Sequence, residues 1–187
     1  MSATTAGGLG TVAPPPGGDT ARQALRQVTS GVTVLTVIGS GLRHGTTVSA
    51  LITMSRDPLI VGVCLRPTST FASMIRRVGL FSVNVLANEQ ATVARRFADP
   101  ARIAGDAQFA GLEWTTDELT GAPLISGCLA HMACQMNGWH QVGDHDLLLA
   151  EVIGGTPGPG LPLVNFAGRL HRGMPDLIDT PIASEAS

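Results

Sequence analysis

The stretch "VTVLTVIGSGLRHGTTVSALITM", Val32–Met54, decides the fold. Its glycines at 39, 41 and 45 follow a β-branched run as Gly-x-Gly-x-x-x-Gly, close to the turn of a dinucleotide-binding βαβ unit. That turn works only when a helix follows, because the first free N–H groups of the helix receive the pyrophosphate. Here "TTVSALITM" follows, rich in Thr, Val and Ile and without a helix start. The glycines are therefore hairpin glycines, supplying backbone angles that other residues avoid. Two antiparallel strands are expected, and the doubly wound parallel sheet is set aside.

Towards the N-terminus, "DTARQALRQVTSG" predicts a helix with Asp19 or Thr20 as N-cap, Ala24, Leu25 and Val28 on one face, and Gly31 after the last turn. Towards the C-terminus, "PLIVGVCL" predicts a third strand, "PTSTFASMIRRVG" a helix ending at Gly79, "FSVNVLA" a fourth strand and "NEQATVARRFA" another helix. A loop with Phe109 and Trp114 leads to two long strands in "CLAHMACQMNGWHQV" and "DLLLAEVI", and then to "LPLVNFAGRLH". Short strands meeting at hairpins, with few peripheral helices, predict a mainly β fold built as a closed or half-closed antiparallel barrel. No internal repeat is present.

A length of 187 residues suits one domain with its own core. Residues 1–18 are Gly, Pro, Thr and Ala without an apolar face and are expected to be disordered; residues 175–187 are expected to be loose, leaving a domain over 19–174. Hydrophobic residues make up 44% and charged residues 14%, so apolar surface should remain for a partner subunit, and an oligomer is expected. A formal net charge of -2 with scattered Lys and Arg gives no nucleic-acid footprint. No apolar run approaches the roughly 18–20 residues that span a bilayer, and the N-terminus has no signal-peptide pattern, so a soluble, cytoplasmic protein without a membrane partner is expected. Cys64, Cys128 and Cys134 form an odd set without CxxC spacing, which argues for reduced, buried thiols rather than disulfides or a thiolate metal site.

Three places carry candidate chemistry. In "VCLRPTSTFASMIRR", Val63–Arg77, a strand runs through Arg66 into Thr68, Ser69 and Thr70 at a helix start, where hydroxyls, free N–H groups and the dipole's positive end converge. The alternatives are a phosphate cradle or a plain helix cap. In "HGTTVSAL", alternation sends Thr47 and Ser49 to one face and Thr46 and Val48 to the other, giving either a solvent-facing side or hydrogen-bond partners for a flat heteroaromatic ligand. In "GDHDLLLAEV", Asp144, His145 and Asp146 stand before an apolar run, as metal ligands, an acid-base pair, a cofactor contact or a polar turn. His131, His140 and His145 match no compact zinc pattern, so no metal site is expected, and Arg95 and Arg96 read as a solvated helix end.

"GTTVSALITMSRDPLIVGVCL", "GLFSVNVLANEQATVARRFA", "FAGLEW", "GAPLISGCLAHMACQ" and "GDHDLLLAEV", in this order and spacing, resemble the flavin reductase family over about residues 20–173. The resemblance implies an antiparallel Greek-key split β-barrel of the FMN-binding type, a homodimer, and NADH or NADPH as the hydride donor to FMN or FAD. It also implies delivery of reduced flavin to a separate monooxygenase. By position, it assigns flavin contacts to Gly45, Thr46, Thr47, Ser49, Ala50, Cys64, Leu65, Arg66, Ser69 and Thr70, with Ser69 and Thr70 near the phosphate, and to Arg96 and Phe97. Gly143, Asp144 and His145 match the family's Gly-Asp-His on the nicotinamide side, which makes His145 the catalytic candidate and leaves Asp146 facing solvent.

What the family's chemistry asks of the protein is to stack two rings at near-attack distance and to stabilise charge near flavin N1 and O2. The chain departs from the family in ending on Gly168, Arg169 and Leu170 rather than Gly-x-Tyr, and in carrying Gln108 where a basic residue often precedes the equivalent of Phe109. A split barrel that binds flavin or haem without nicotinamide turnover, or one that reduces another acceptor, is the alternative.

Overall fold

A computed structural model describes residues 18–173, so the tails expected at 1–18 and 175–187 lie outside the described residues apart from Gly18. In chain order the elements are α1 (Gly18–Leu25), β1 (Ser30–Gly31), β2 (Thr33–Gly39), β3 (Leu42–Val48), β4 (Leu51–Arg56), β5 (Leu59–Leu65) and α2 (Thr70–Val78). They continue with β6 (Leu80–Val85), α3 (Ala91–Ala98), a short 3-10 turn at Gly105–Phe109, β7 (Trp114–Thr116), β8 (Pro123–Ile125), β9 (Ala130–Val142), β10 (His145–Pro157), β11 (Leu163–Phe166) and β12 (Arg169–Arg172).

The opening hairpin forms, with a tighter turn than the glycines suggest. Gly39 pairs with Leu42, and only Ser40 and Gly41 turn, both at positive φ (52° and 76°), the pairing that matches the twist of antiparallel strands. His44 and Gly45 therefore belong to β3 rather than to a loop.

The segment expected as one strand, "TTVSALITM", breaks at Ser49–Ala50 into β3 and β4, and this break builds the barrel. The main sheet is antiparallel in the order β3-β2-β6-β9-β10-β5-β4, so two strands adjacent in sequence occupy its opposite edges. In a flat sheet, six gaps of about 4.8 Å would hold those edges about 29 Å apart. The link from Val48 to Leu51 reaches about 11 Å at most. The sheet must curl until its edges meet, which is the half-closed split barrel expected from the sequence. Ala50 O accepts from Cys64 N at 3.3 Å beside that corner.

The barrel interior holds Leu35, Val37, Val63, Phe81, Val83 and Leu148, plugged by Phe71 and Ile75 of α2. The Phe71 and Phe81 rings meet edge to face at 5.9 Å. A second core, with Val32, Val34, Leu86, Phe97 and Phe109, packs α3 against the outside of β2. β2 is thus buried on both faces, which is why "VTVLTVI" reads as a continuous apolar run rather than an alternating one.

The first helix differs from expectation. It stops at Leu25, Gly31 joins β1, and Leu25 and Val28 are exposed instead of forming a packed face. Cys128 and Cys134 are buried, and burial pushes their thiols up to about 11 and about 12, whereas Cys64 is exposed. Asp146 is not solvent-facing: it is buried against Arg76.

Candidate functional site

A cleft of about 740 Å³ lies where the β3–β4 corner, the end of β5, the start of α2 and the start of β10 come together. That volume is ordinary for a small-molecule site. Thr46 and Thr47 reach it from β3, Ser49 and Ala50 from the corner, Cys64 and Leu65 from β5, Arg66, Ser69 and Thr70 from the loop and start of α2, and His145 from β10. Ten of the residues singled out from the sequence thus line one cavity.

The polar ends of the cleft have local causes. Pro67 and the hydroxyl cluster start α2 with Ser69 as N-cap (φ -69°, ψ 149°), its Oγ accepting from Ala72 N at 3.1 Å. Ser69 is therefore a helix cap, and its hydroxyl proton remains free to donate while the other N–H groups of the first turn lack intrahelical partners. Arg66 and Thr70 stand exposed beside it. The expected alternation past Val48 fails because β3 ends there; Thr47 turns to α3 and donates its hydroxyl to Ala94 O at 2.7 Å.

At the other wall, Gly143 (φ 61°) and Asp144 reverse β9 into β10, with Val142 paired to His145. His145 Nδ1 lies 2.9 Å from Asp144 Oδ1, so the proton on Nδ1 points to the carboxylate and Nε2 stays free. The hydrogen bond from His145, and then its charge, hold the Asp144 carboxyl below the usual carboxylate range, with Arg66 adding in the same direction. One residue on, Asp146 pairs with Arg76 at 2.7 Å, and the same guanidinium lies 4.3 Å from the Trp139 ring centre and donates to Pro67 O at 3.3 Å.

Four singled-out residues, Gly45, Arg96, Phe97 and Asp144, do not line the cleft. Phe97 is fully buried behind β3, and a Cβ on Gly45 would come within 2.5 Å of its ring, so Gly45 is glycine to let Phe97 press on the strand. Arg96 donates to Ala110 O at 2.8 Å, bracing the loop after α3. Conversely, Thr68, Pro100 and Arg102 line the cleft without having been singled out as contacts. Thr68 was legible in the hydroxyl cluster; Pro100 and Arg102 sit in an irregular loop that carries no periodic pattern.

Gln108 does not take the place of a phosphate-binding base. It is buried, its Oε1 accepts from Gly45 N at 2.9 Å, and its Nε2 lies 3.0 Å from His44 Nδ1. Because Gly45 N–H fixes the amide orientation, the amide nitrogen donates to His44 Nδ1. Burial, helped by Arg102, pushes the His44 pKa down to about 4.

Comparison with known proteins follows the same outline. Residues 25–174 match the family described as the flavin reductase like domain. An NADPH-flavin oxidoreductase of Streptomyces viridifaciens is 40% identical over 151 residues, covering 80% of this chain and 78% of the relative. The reductase subunit HsaB of a flavin-dependent monooxygenase from Rhodococcus jostii is 38% identical, covering 70% of this chain and 65% of the relative. Among solved structures, the Streptomyces globisporus NADH:FAD oxidoreductase SgcE6, in complex with NAD and FAD fragments, superposes with a TM-score of 0.78 at 33% identity over 84% of this chain and 93% of that one.

Proposed function

The chain belongs to the flavin reductase family, and from that premise we propose that the cleft between the β3–β4 corner and the start of α2 is its working site. The protein is an NAD(P)H:flavin oxidoreductase, using NADH or NADPH to reduce FMN or FAD. The observation that supports the site assignment is one cavity that has the N-terminus of α2, capped by Ser69, at one end and His145 at its rim.

The residues fit a flavin phosphate. The Ser69 hydroxyl proton, the first-turn N–H groups of α2, Thr70 and the Arg66 guanidinium supply donors and positive charge, and no acidic side chain lines the cleft among the described residues. When bound, the flavin supplies the hydride-accepting ring, and no protein nucleophile is required. Thr46, Ser49 and the backbone of the β3–β4 corner orient the ring edge. Asp144 fixes the His145 imidazole, whose free Nε2 then orients the nicotinamide. Gly45 and Phe97 act from behind, holding β3 in place, and Arg96 braces the loop that forms the far wall.

We further propose a single domain over 19–174, a cytoplasmic homodimer, and a separate flavin-dependent monooxygenase as recipient of the reduced flavin, with neither nucleic acid nor membrane as partner. HsaB, the reductase subunit of such a pair, supports the recipient. Ile52 (52% exposed) and Met54 (49%) lean over Gly62 together with Leu147 on the outside of β4 and β5, an apolar face that supports the dimer. No helix among the described residues is long and apolar enough to cross a membrane.

The test is direct. Purified protein mixed with NADH or NADPH and free FMN or FAD should bleach the nicotinamide absorbance band; no loss with any of the four combinations contradicts the reading.

A further inference from the structure

Two arginines line the main cleft, and they come from different walls. Arg66 stands exposed beside the Ser69 cap, whereas Arg102 belongs to the loop after α3 and is half-buried. That loop fixes its own shape. Asp99 Oδ1 accepts from Ala101 N at 2.8 Å, and Asp99 O accepts from Arg102 N at 3.2 Å and from Arg102 Nη1 at 2.7 Å. Nη1 is thus spent on the turn.

The rest of the guanidinium meets no acceptor. Among the described residues no carboxylate lies within salt-bridge distance of Arg102, and its Nε is buried without a hydrogen-bond partner. Nη2 lies 3.4 Å from His44 Nε2. Because Gln108 donates to His44 Nδ1, the neutral imidazole carries its proton on Nε2, so two donors face each other. His44 is 6% exposed and burial keeps it neutral, so it offers Arg102 neither a lone pair nor a charge. Burial also pushes the Arg102 pKa below its ordinary value, with Asp99 pulling the other way. Such a cation is costly until a ligand supplies the negative charge. His44 and Thr46 share one face of β3, so Arg102 stands on the strand wall where Thr46 enters the cleft.

The reaction assigned to the cleft creates a negative charge. Hydride transfer breaks a C–H bond of the dihydronicotinamide and forms an N–H bond on the flavin. Two electrons and one proton move together, the nicotinamide is left as its oxidised cation, and the flavin gains one negative charge. Arg66 stands at the phosphate end, where the ligand charge is the same before and after the step. We propose that Arg102 is a catalytic residue of the cleft: its guanidinium meets the flavin from the β3 side and stabilises the charge that arrives with the hydride. This rests on the flavin–nicotinamide reading of the cleft. A group that meets the reduced ring better than the oxidised one lowers the barrier to the step.

The test is the reduction potential of bound flavin, measured without turnover by anaerobic equilibration with a reference dye, together with the affinity for oxidised flavin. Wild type, two neutral variants (Arg102→Gln and Arg102→Met) and the charge-retaining Arg102→Lys are each loaded with FMN and with riboflavin. Thermal melts confirm folding, and either neutral variant that folds suffices. The neutral variants should lower the ratio of oxidised to reduced dissociation constants by about tenfold or more, which is about 30 mV for a two-electron couple. Arg102→Lys should keep most of that ratio, and oxidised flavin should bind every variant within about threefold of wild type. Riboflavin, which has no phosphate, should show the same shift. An unchanged ratio, equal weakening of both oxidation states, a loss as large in Arg102→Lys as in the neutral variants, or an effect confined to FMN would overturn the inference and leave the cleft reading intact. A wild-type protein that binds neither flavin would overturn the cleft reading, and the role of Arg102 with it.

Discussion

Arg76 Nη2 lies 2.7 Å from Asp146 Oδ2, and this ion pair joins the helix that opens the cleft to the strand that begins with His145. The Asp146 side chain is 5% exposed and the Arg76 side chain 42%, so the carboxylate depends on the arginine far more than the reverse. The same guanidinium lies over Trp139 and donates to Pro67 O, in the loop before Ser69. One side chain therefore ties the Ser69 end of the cleft to the His145 end.

Arg76→Leu should destabilise the protein by about 1–3 kcal/mol, between the values for an exposed pair and for a fully buried one, because the arginine is half in water while the carboxylate is buried. Adding Asp146→Asn should restore much of the loss, since the stranded charge is then gone. Urea unfolding of the two single variants and the double variant gives the coupling; strict additivity would mean the pair is not coupled.

Much of this arrangement is legible in the sequence, and what is not has identifiable causes. Hairpin glycines, β-branched runs and the hydroxyl cluster before "FASMIRR" are local signals, and they locate the strands, α2 and most of the cleft wall. The break at Ser49–Ala50 is not local: it follows from closing a seven-stranded sheet, which no alternation pattern within "TTVSALITM" records. The same holds for Gly45 and Phe97, whose contact joins β3 to α3 across the second core. Asp146 looked exposed because a charge beside a turn usually is; its partner lies 70 positions away in sequence.

His44 makes stability depend on pH. Burial first, and Arg102 second, push its pKa from 6.5 down to about 4 in the folded protein. Between about pH 4 and 6.5 the unfolded chain therefore binds a proton that the folded chain refuses, so this contribution rises with pH and is lost on acidification. The full span corresponds to about 3 kcal/mol. Urea midpoints from pH 4 to 7 should fall less steeply on the acid side in His44→Gln than in wild type. An equal slope would mean that His44 titrates normally.

His145→Ala should separate nicotinamide use from flavin binding. With the imidazole gone, KM for NADH should rise, or kcat fall, by about tenfold or more, because ring alignment is lost. Flavin affinity should change little. Asp144→Asn should act in the same direction more weakly, since it loosens the Nδ1 contact without removing the ring. Equal loss of flavin affinity and turnover would instead give His145 a structural role.

The most direct measurement of the central claim, that this cleft holds a flavin by its phosphate, is the affinity of Ser69→Asp for FMN and for riboflavin. Asp still caps α2, so the fold is retained, but it sets a negative charge where the phosphate should sit. FMN affinity should fall by about tenfold or more while riboflavin, which has no phosphate, binds as it does to wild type. Unchanged FMN affinity, or equal loss for both flavins, would contradict the assignment.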